Sequence, residues 1–128
     1  MHIAILKERG FDETRVAATP EMVKKYSAMG FSVSIEKEAG LKAQFLDEDY
    51  AKNGAKICAN VQETVEHADL ILRVRSPFSS SETEHEIKYY KKDAILIALL
   101  DPYSNETQFH ALAKQHITSF SLELIPRI

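Results

Sequence analysis

Charged side chains that close apolar runs are where this sequence could do chemistry. Four such stretches stand out: residues 7–15 after His2-Ile3-Ala4-Ile5-Leu6, residues 73–77 after Leu70-Ile71-Leu72, residues 100–103 after the apolar run 94–100, and residues 124–128. Arg73 and Arg75 alternate by two, so on a strand they share one face. Solvated strand-end charges are the plain alternative. The rest of the inventory is thin. The five histidines (2, 67, 85, 110 and 116) show no metal spacing and the single cysteine, Cys58, has no partner, so no metal site is expected. Cys58 reads as a small buried hydrophobe at a strand end. Tyr50 reads as a core aromatic, His110 and His116 as helix-face residues, and residues 88–92 as a solvated helix end. The four glycines (10, 30, 40 and 54) form no G-x-G-x-x-G, so the tight turn that brings backbone close to a pyrophosphate is missing. Walker-type and G-x-S-x-G patterns are absent too, and no catalytic residue is assigned.

The elements that must position these residues follow a strand-then-helix rhythm. Residues 2–6 read as a buried strand. Thr19-Pro20-Glu21 is a helix start, with Thr19 able to cap and Pro20 suited to the first helical position. Met22, Val23, Tyr26 and Met29 recur at helical spacing until Gly30. Phe31, Val33 and Ile35 alternate as a second strand. A short helix is predicted over 46–53, a strand over 55–58, and a helix stripe of Val61, Thr64, Val65 and Ala68 behind a capping arrangement at 60–63. A strand follows from Leu70 to Val74, a helix over 82–90 and the most apolar strand over 94–100. Ser104 is read as the cap of a helix with Phe109, Leu112, Ala113 and His116 on one face, and 117–124 as a final strand. Apolar strands alternating with amphipathic helices predict an α/β fold: a doubly wound, mostly parallel sheet in a flavodoxin-like three-layer sandwich, formed by residues 1–128 as a single domain. In such sheets ligands sit at the carboxyl ends of the strands, where the four charged stretches lie.

Composition excludes several classes of function. The chain has 128 residues, 45% hydrophobic and 27% charged, with a net charge of −3. That composition is globular and argues against a nucleic-acid binder, which shows a basic stripe. No apolar run approaches the ~18–20 residues of a membrane span. A lone cysteine suits a reducing cytoplasm.

Four segments together carry a family resemblance. Lys7-Glu8 followed by Glu13-Thr14-Arg15-Val16-Ala17-Ala18-Thr19-Pro20 resembles the opening signature of the alanine dehydrogenase and nicotinamide nucleotide transhydrogenase alpha-subunit family. Phe45-Leu46-Asp47-Glu48-Asp49-Tyr50 with Gly54-Ala55, Ala68-Asp69 through Ser76-Pro77, and Glu123-Leu124-Ile125-Pro126-Arg127-Ile128 agree in order and spacing. The likeness runs over essentially the whole chain.

The resemblance implies an N-terminal domain of a longer subunit, with the Rossmann domain that binds NAD lying beyond Ile128. Within the family, alanine dehydrogenases place a catalytic histidine after the apolar strand. Leu100 matches that position, and leucine cannot act as a general acid or base. The substrate-binding lysine matches Arg75, or Arg73, and arginine is not interchangeable with lysine at a tight site. Both departures favour the transhydrogenase branch over an amino-acid dehydrogenase of alanine or saccharopine type. A stand-alone, non-catalytic flavodoxin-like module is the third reading. The transhydrogenase branch implies hydride transfer from NADH to NADP+ coupled to proton translocation, with this domain as one wall of the NAD(H) cleft. NADP(H) would sit on a separate component. The partners implied are the rest of the alpha subunit, the membrane and NADP-binding components, and a second copy in a homodimer, on the cytoplasmic side of an inner membrane. Arg127 and Ile128 match the start of the loop that orients the nicotinamide. Arg15 and Arg75 match anion contacts, although Arg15 could equally pair with Glu13 or Glu8.

Overall fold

The computed structural model describes all residues from Met1 to Ile128. Six strands, β1 (His2–Ile5), β2 (Ser32–Glu36), β3 (Ala55–Cys58), β4 (Leu70–Arg75), β5 (Ile95–Leu99) and β6 (Thr118–Ser121), form one sheet. Every neighbouring pair is parallel, in the order β3-β2-β1-β4-β5-β6. The doubly wound sheet is therefore the one read from the residues. Its strand order carries further information. A flavodoxin sheet runs 2-1-3-4-5. Here two strands are wound on one side of β1 before the chain crosses over, so the direction of winding reverses between β1 and β4.

Four helices cover the sheet: α1 (Pro20–Ala28), α2 (Asp47–Lys52), α3 (Val61–Val65) and α4 (Glu106–Lys114). Strand alternation divides the core. Ile3 and Ile5 of β1 face Val23 of α1 and Tyr50 of α2, whereas Ala4 and Leu6 face Val65 of α3 and Leu112 of α4. Right-handed crossovers require this split, because helices after leftward steps and helices after rightward steps fall on opposite faces. The rule leaves one region without a helix of its own: the α1 side of β4, β5 and β6. There Leu72, Val74, Ile97 and Leu99 are half-buried and Phe120 is exposed.

The caps explain the helix starts. Thr19 Oγ1 accepts from Met22 N at 3.2 Å, with Pro20 opening α1. Asn60 Oδ1 accepts from Glu63 N at 2.9 Å, and the Glu63 carboxylate accepts from Ala59 N, one residue before the cap, in place of the Asn60 N–H of a strict capping box. Cys58 is buried.

Three local expectations need correction. Residues 82–90 do not form a helix; they make turns closed by a single 3-10 turn, Glu86–Tyr89. Thr83 Oγ1 donates to the carbonyls of Pro77 and Ser80, and such side-chain bonds compete with a helical ladder. Ser104 does not cap α4. Asn105 occupies that position, and its amide donates back to the carbonyls of Leu100 and Asp101. The last strand stops at Ser121, because the chain turns at Leu122–Leu124 to carry the Glu123 carboxylate back to the end of β5.

Candidate functional site

The carboxyl ends of β1, β4 and β5, with the segments that follow them, build a groove that runs onto the uncovered α1 side of the sheet. One section, about 410 Å³, is mostly apolar: Val16, Ala17, Tyr26, Leu72, Val74, Ile97, Leu99 and Leu122 line it with Arg15 and Arg73. An adjoining section, about 430 Å³, is polar and contains Arg15, Arg75, Ser76, Asp101, Asn105 and Glu123. Arg15 and Arg75 are thus brought together, and Leu99 touches both sections.

The Arg73 guanidinium is directed away from Arg15 and Arg75. It is fully buried, with Nε donating to Glu86 at 2.9 Å, Nη2 to the other Glu86 oxygen at 2.5 Å and Nη1 to Glu8 at 3.1 Å. Tyr90 Oη donates to Glu86 at 2.5 Å. Burial works against the Arg73 charge, but Glu86 and Glu8 more than offset it and hold the guanidinium's pKa up. The solvated reading of Arg73 is therefore corrected. A ladder irregularity between Leu72 and Arg75 separates the fates of the two arginines.

Arg75 and Arg15 are about half exposed and share one counter-ion. Glu13, with a side chain 3% exposed, accepts from Arg15 Nε at 2.9 Å and Nη2 at 2.7 Å, from Arg15 N at 3.0 Å and from Arg75 Nε at 3.0 Å. The Arg15 guanidinium is the main reason that the Glu13 carboxyl is held down at about 2; Arg75 adds to the effect and burial opposes it. Asp12 also lies within ion-pair reach of Arg75. With Asp101 and Glu123 at the rim, the two arginines do not add up to an anion-attracting patch.

Backbone N–H groups at the strand ends are satisfied by glutamates, which the motif pattern does not single out. Glu8 accepts from Val74 N at 3.1 Å and Arg75 N at 3.0 Å. Glu36 accepts from Lys7 N at 3.0 Å and pairs with both guanidinium arms of Arg9. Glu123 accepts from Leu100 N at 3.2 Å, Asp101 N at 3.0 Å and Ser121 Oγ. Burial acts to raise the Glu123 pKa, yet the Ser121 hydroxyl and these N–H groups hold it below the usual range.

Leu100 has 1% exposure and lies in the core with Leu112 on the α4 side. Ile97 and Leu99 are the residues of this strand that face the groove, and Leu99 alone reaches its polar section. The Leu100 side chain packs in the core, away from Arg15 and Arg75, and its groove-facing neighbour is position 99. It too holds leucine. Arg127 and Ile128 lie exposed on the last residues, beyond the turn anchored by Glu123. No group of three His, Cys, Asp or Glu side chains is placed to hold a metal ion.

The strand order is that of the doubly wound sheets that bind dinucleotides, with a carboxylate-lined loop where the glycine loop would be. Residues 4–128 match the family model for the alanine dehydrogenase/PNT N-terminal domain. The chain belongs to that family, as the four motif segments indicated. It is 41% identical over its full length to the first portion of the NAD(P) transhydrogenase alpha subunit of Rickettsia prowazekii, covering 33% of that protein. It is 35% identical over 125 residues to alanine dehydrogenase 1 of Staphylococcus aureus, covering 98% of this chain and 32% of that one. The crystal structure of transhydrogenase from Sinorhizobium meliloti superposes with a TM-score of 0.90 at 39% identity, over all of this chain and 36% of that one. The chain spans about a third of the length of the curated relatives it matches.

Proposed function

We propose that this chain is the first domain of the alpha subunit of a proton-translocating NAD(P)+ transhydrogenase, which moves hydride from NADH to NADP+, and that it supplies one wall of the NAD(H) cleft. The groove's chemistry carries this reading. Leucine stands both at position 100, matched to the dehydrogenase's histidine, and at position 99, which lines the groove. Proton transfer in such a dehydrogenase requires a titrating group within hydrogen-bond reach. A reaction between two nicotinamides asks the protein mainly for positioning and electrostatics, since the cofactors carry the chemistry. The higher identity to a transhydrogenase subunit than to alanine dehydrogenase 1 points the same way.

In this reading Arg127 and Ile128 meet the cofactor from their exposed tail, and the solvent-facing sides of Arg15 and Arg75 form the rim. The pyrophosphate does not fit the crevice between β1 and β4, which the Glu8 carboxylate fills. A downstream domain of the subunit holds NAD(H), and a separate component holds NADP(H). Membrane attachment and the dimer belong to the assembled enzyme; no helix here is long and apolar enough to cross a membrane.

The test has two arms. Calorimetric titration of the chain with NADH is expected to show no saturable binding in the micromolar range, and the subunit that carries the chain is expected to show no L-alanine-dependent reduction of NAD+. Micromolar affinity in the first arm overturns the cleft-wall assignment. Turnover in the second restores the amino-acid dehydrogenase.

A further inference from the structure

The crevice between β1 and β4 is the one place in this sheet where the winding reverses, and open α/β sheets place their ligands there. The donors that would hold an anion are present. Val74 N and Arg75 N both reach one carboxylate, with Arg73 Nη1 beside them at 3.1 Å from the same oxygen that Val74 N contacts. In a regular strand, successive N–H groups point to opposite edges. Here both turn to the same side, and the ladder irregularity between Leu72 and Arg75 is what allows it; bulges re-aim backbone in this way. Successive N–H groups that converge in this manner make a concavity for anions. Arg73, with a side chain 1% exposed, adds a third donor through Nη1, while Glu86 holds its Nε and Nη2.

The occupant is the chain's own Glu8, 4% exposed at its side chain. We propose that the β1–β4 crevice is a pre-formed oxyanion site whose resident ligand is the Glu8 carboxylate, and that it takes a small free oxyanion of the carboxylate or phosphate class once Glu8 is removed. In the intact chain the site is closed to nucleotide phosphates, because the anion they would supply is already tethered there at high effective concentration. The end of β5 repeats the arrangement. Leu100 N and Asp101 N, the latter residue at φ +47°, converge on Glu123.

The experiment removes the tethered ligand and supplies a free one. Glu8→Ala is melted in sodium formate and in sodium chloride at matched ionic strength, beside the wild-type chain. Formate is expected to raise the Tm of the variant with the logarithm of its concentration, by about 5 °C at tenfold excess over a ~10 mM dissociation constant, and to leave the wild type where chloride leaves it. Inorganic phosphate followed by 31P NMR is expected to broaden with the variant and not with the wild type. Should Glu8→Ala fail to fold in chloride, its refolding yield in formate against chloride reads the same quantity. Equal responses of variant and wild type to formate, or no formate-dependent recovery of an unfolded variant, overturn the proposal.

Discussion

Arg73 has no solvent to fall back on. Its partners Glu8 and Glu86 are as deeply buried as it is, so truncating it strands two carboxylates in a low-dielectric interior. Arg73→Met is expected to cost about 3–5 kcal/mol of folding free energy, the usual result of breaking a buried ion pair from one side. Tyr90→Phe removes one donor from Glu86 while both Arg73 bonds to it remain, and is expected to cost about 1.5–3 kcal/mol. Urea denaturation of the two variants at neutral pH separates these magnitudes. Glu13 supplies a pH signature. Its folded pKa, about 2, lies below the ordinary value of 4.5. Its contribution to stability is therefore complete above about pH 4.5 and is lost as pH falls towards 2. Urea midpoints measured at pH 7 and pH 3 are expected to drop for the wild-type chain, with a smaller drop for Glu13→Gln. An equal drop in both shows that other carboxylates carry the acid limb.

At the level of elements, the least tolerant joint is the turn before α2. Tyr50 is fully buried and its hydroxyl donates to Ala18 O at 2.7 Å, which ties α2 to the loop that enters α1. A Cβ on Gly40 would stand 2.6 Å from Tyr50 Cε2 and 2.9 Å from Phe45 Cβ. Gly40→Ala therefore has to push the ring off that carbonyl. It is expected to cost about 1–3 kcal/mol, the range for overpacked cores, whereas Gly30→Ala meets no neighbour and is strained only by its positive φ. Thermal melts of the two variants make the comparison. Sequence signals are strongest where one residue type has one local job. Thr19 before Pro20, Asn60 before Glu63 and the alternation of Phe31, Val33 and Ile35 all mark elements that form as read. They fail where side chains act over long sequence distances. Nothing local to residues 82–90 shows that Glu86 is drawn inward by Arg73. Nor does the apolar run towards residue 124 show that Glu123 must fold back to cap β5.

For the molecule as a whole, the α/β class is legible because continuous apolar strands separated by amphipathic helices have few other solutions. The order of the strands is not, since crossover direction leaves no mark on composition. The site divides in the same way. Arg15 and Arg75 each follow an apolar run in the sequence, and the fold sets them side by side on Glu13. The carboxylates that neutralise or cap the strand ends emerge only when β1, β4 and β5 are set side by side. That parallel arrangement also imposes an order in time. β1 is the first of these six strands to be synthesised and sits in the middle of the sheet. It pairs with Ser32–Ile35 on one side and Leu70–Leu72 on the other, so on a growing chain Ile3 and Ile5 wait for one neighbour and then much longer for the second. Sheets built from such distant pairings fold slowly. Until Leu72 has been made, the strand destined for the centre is an unprotected edge, and a nascent chain stalled before that residue exposes it to aggregation.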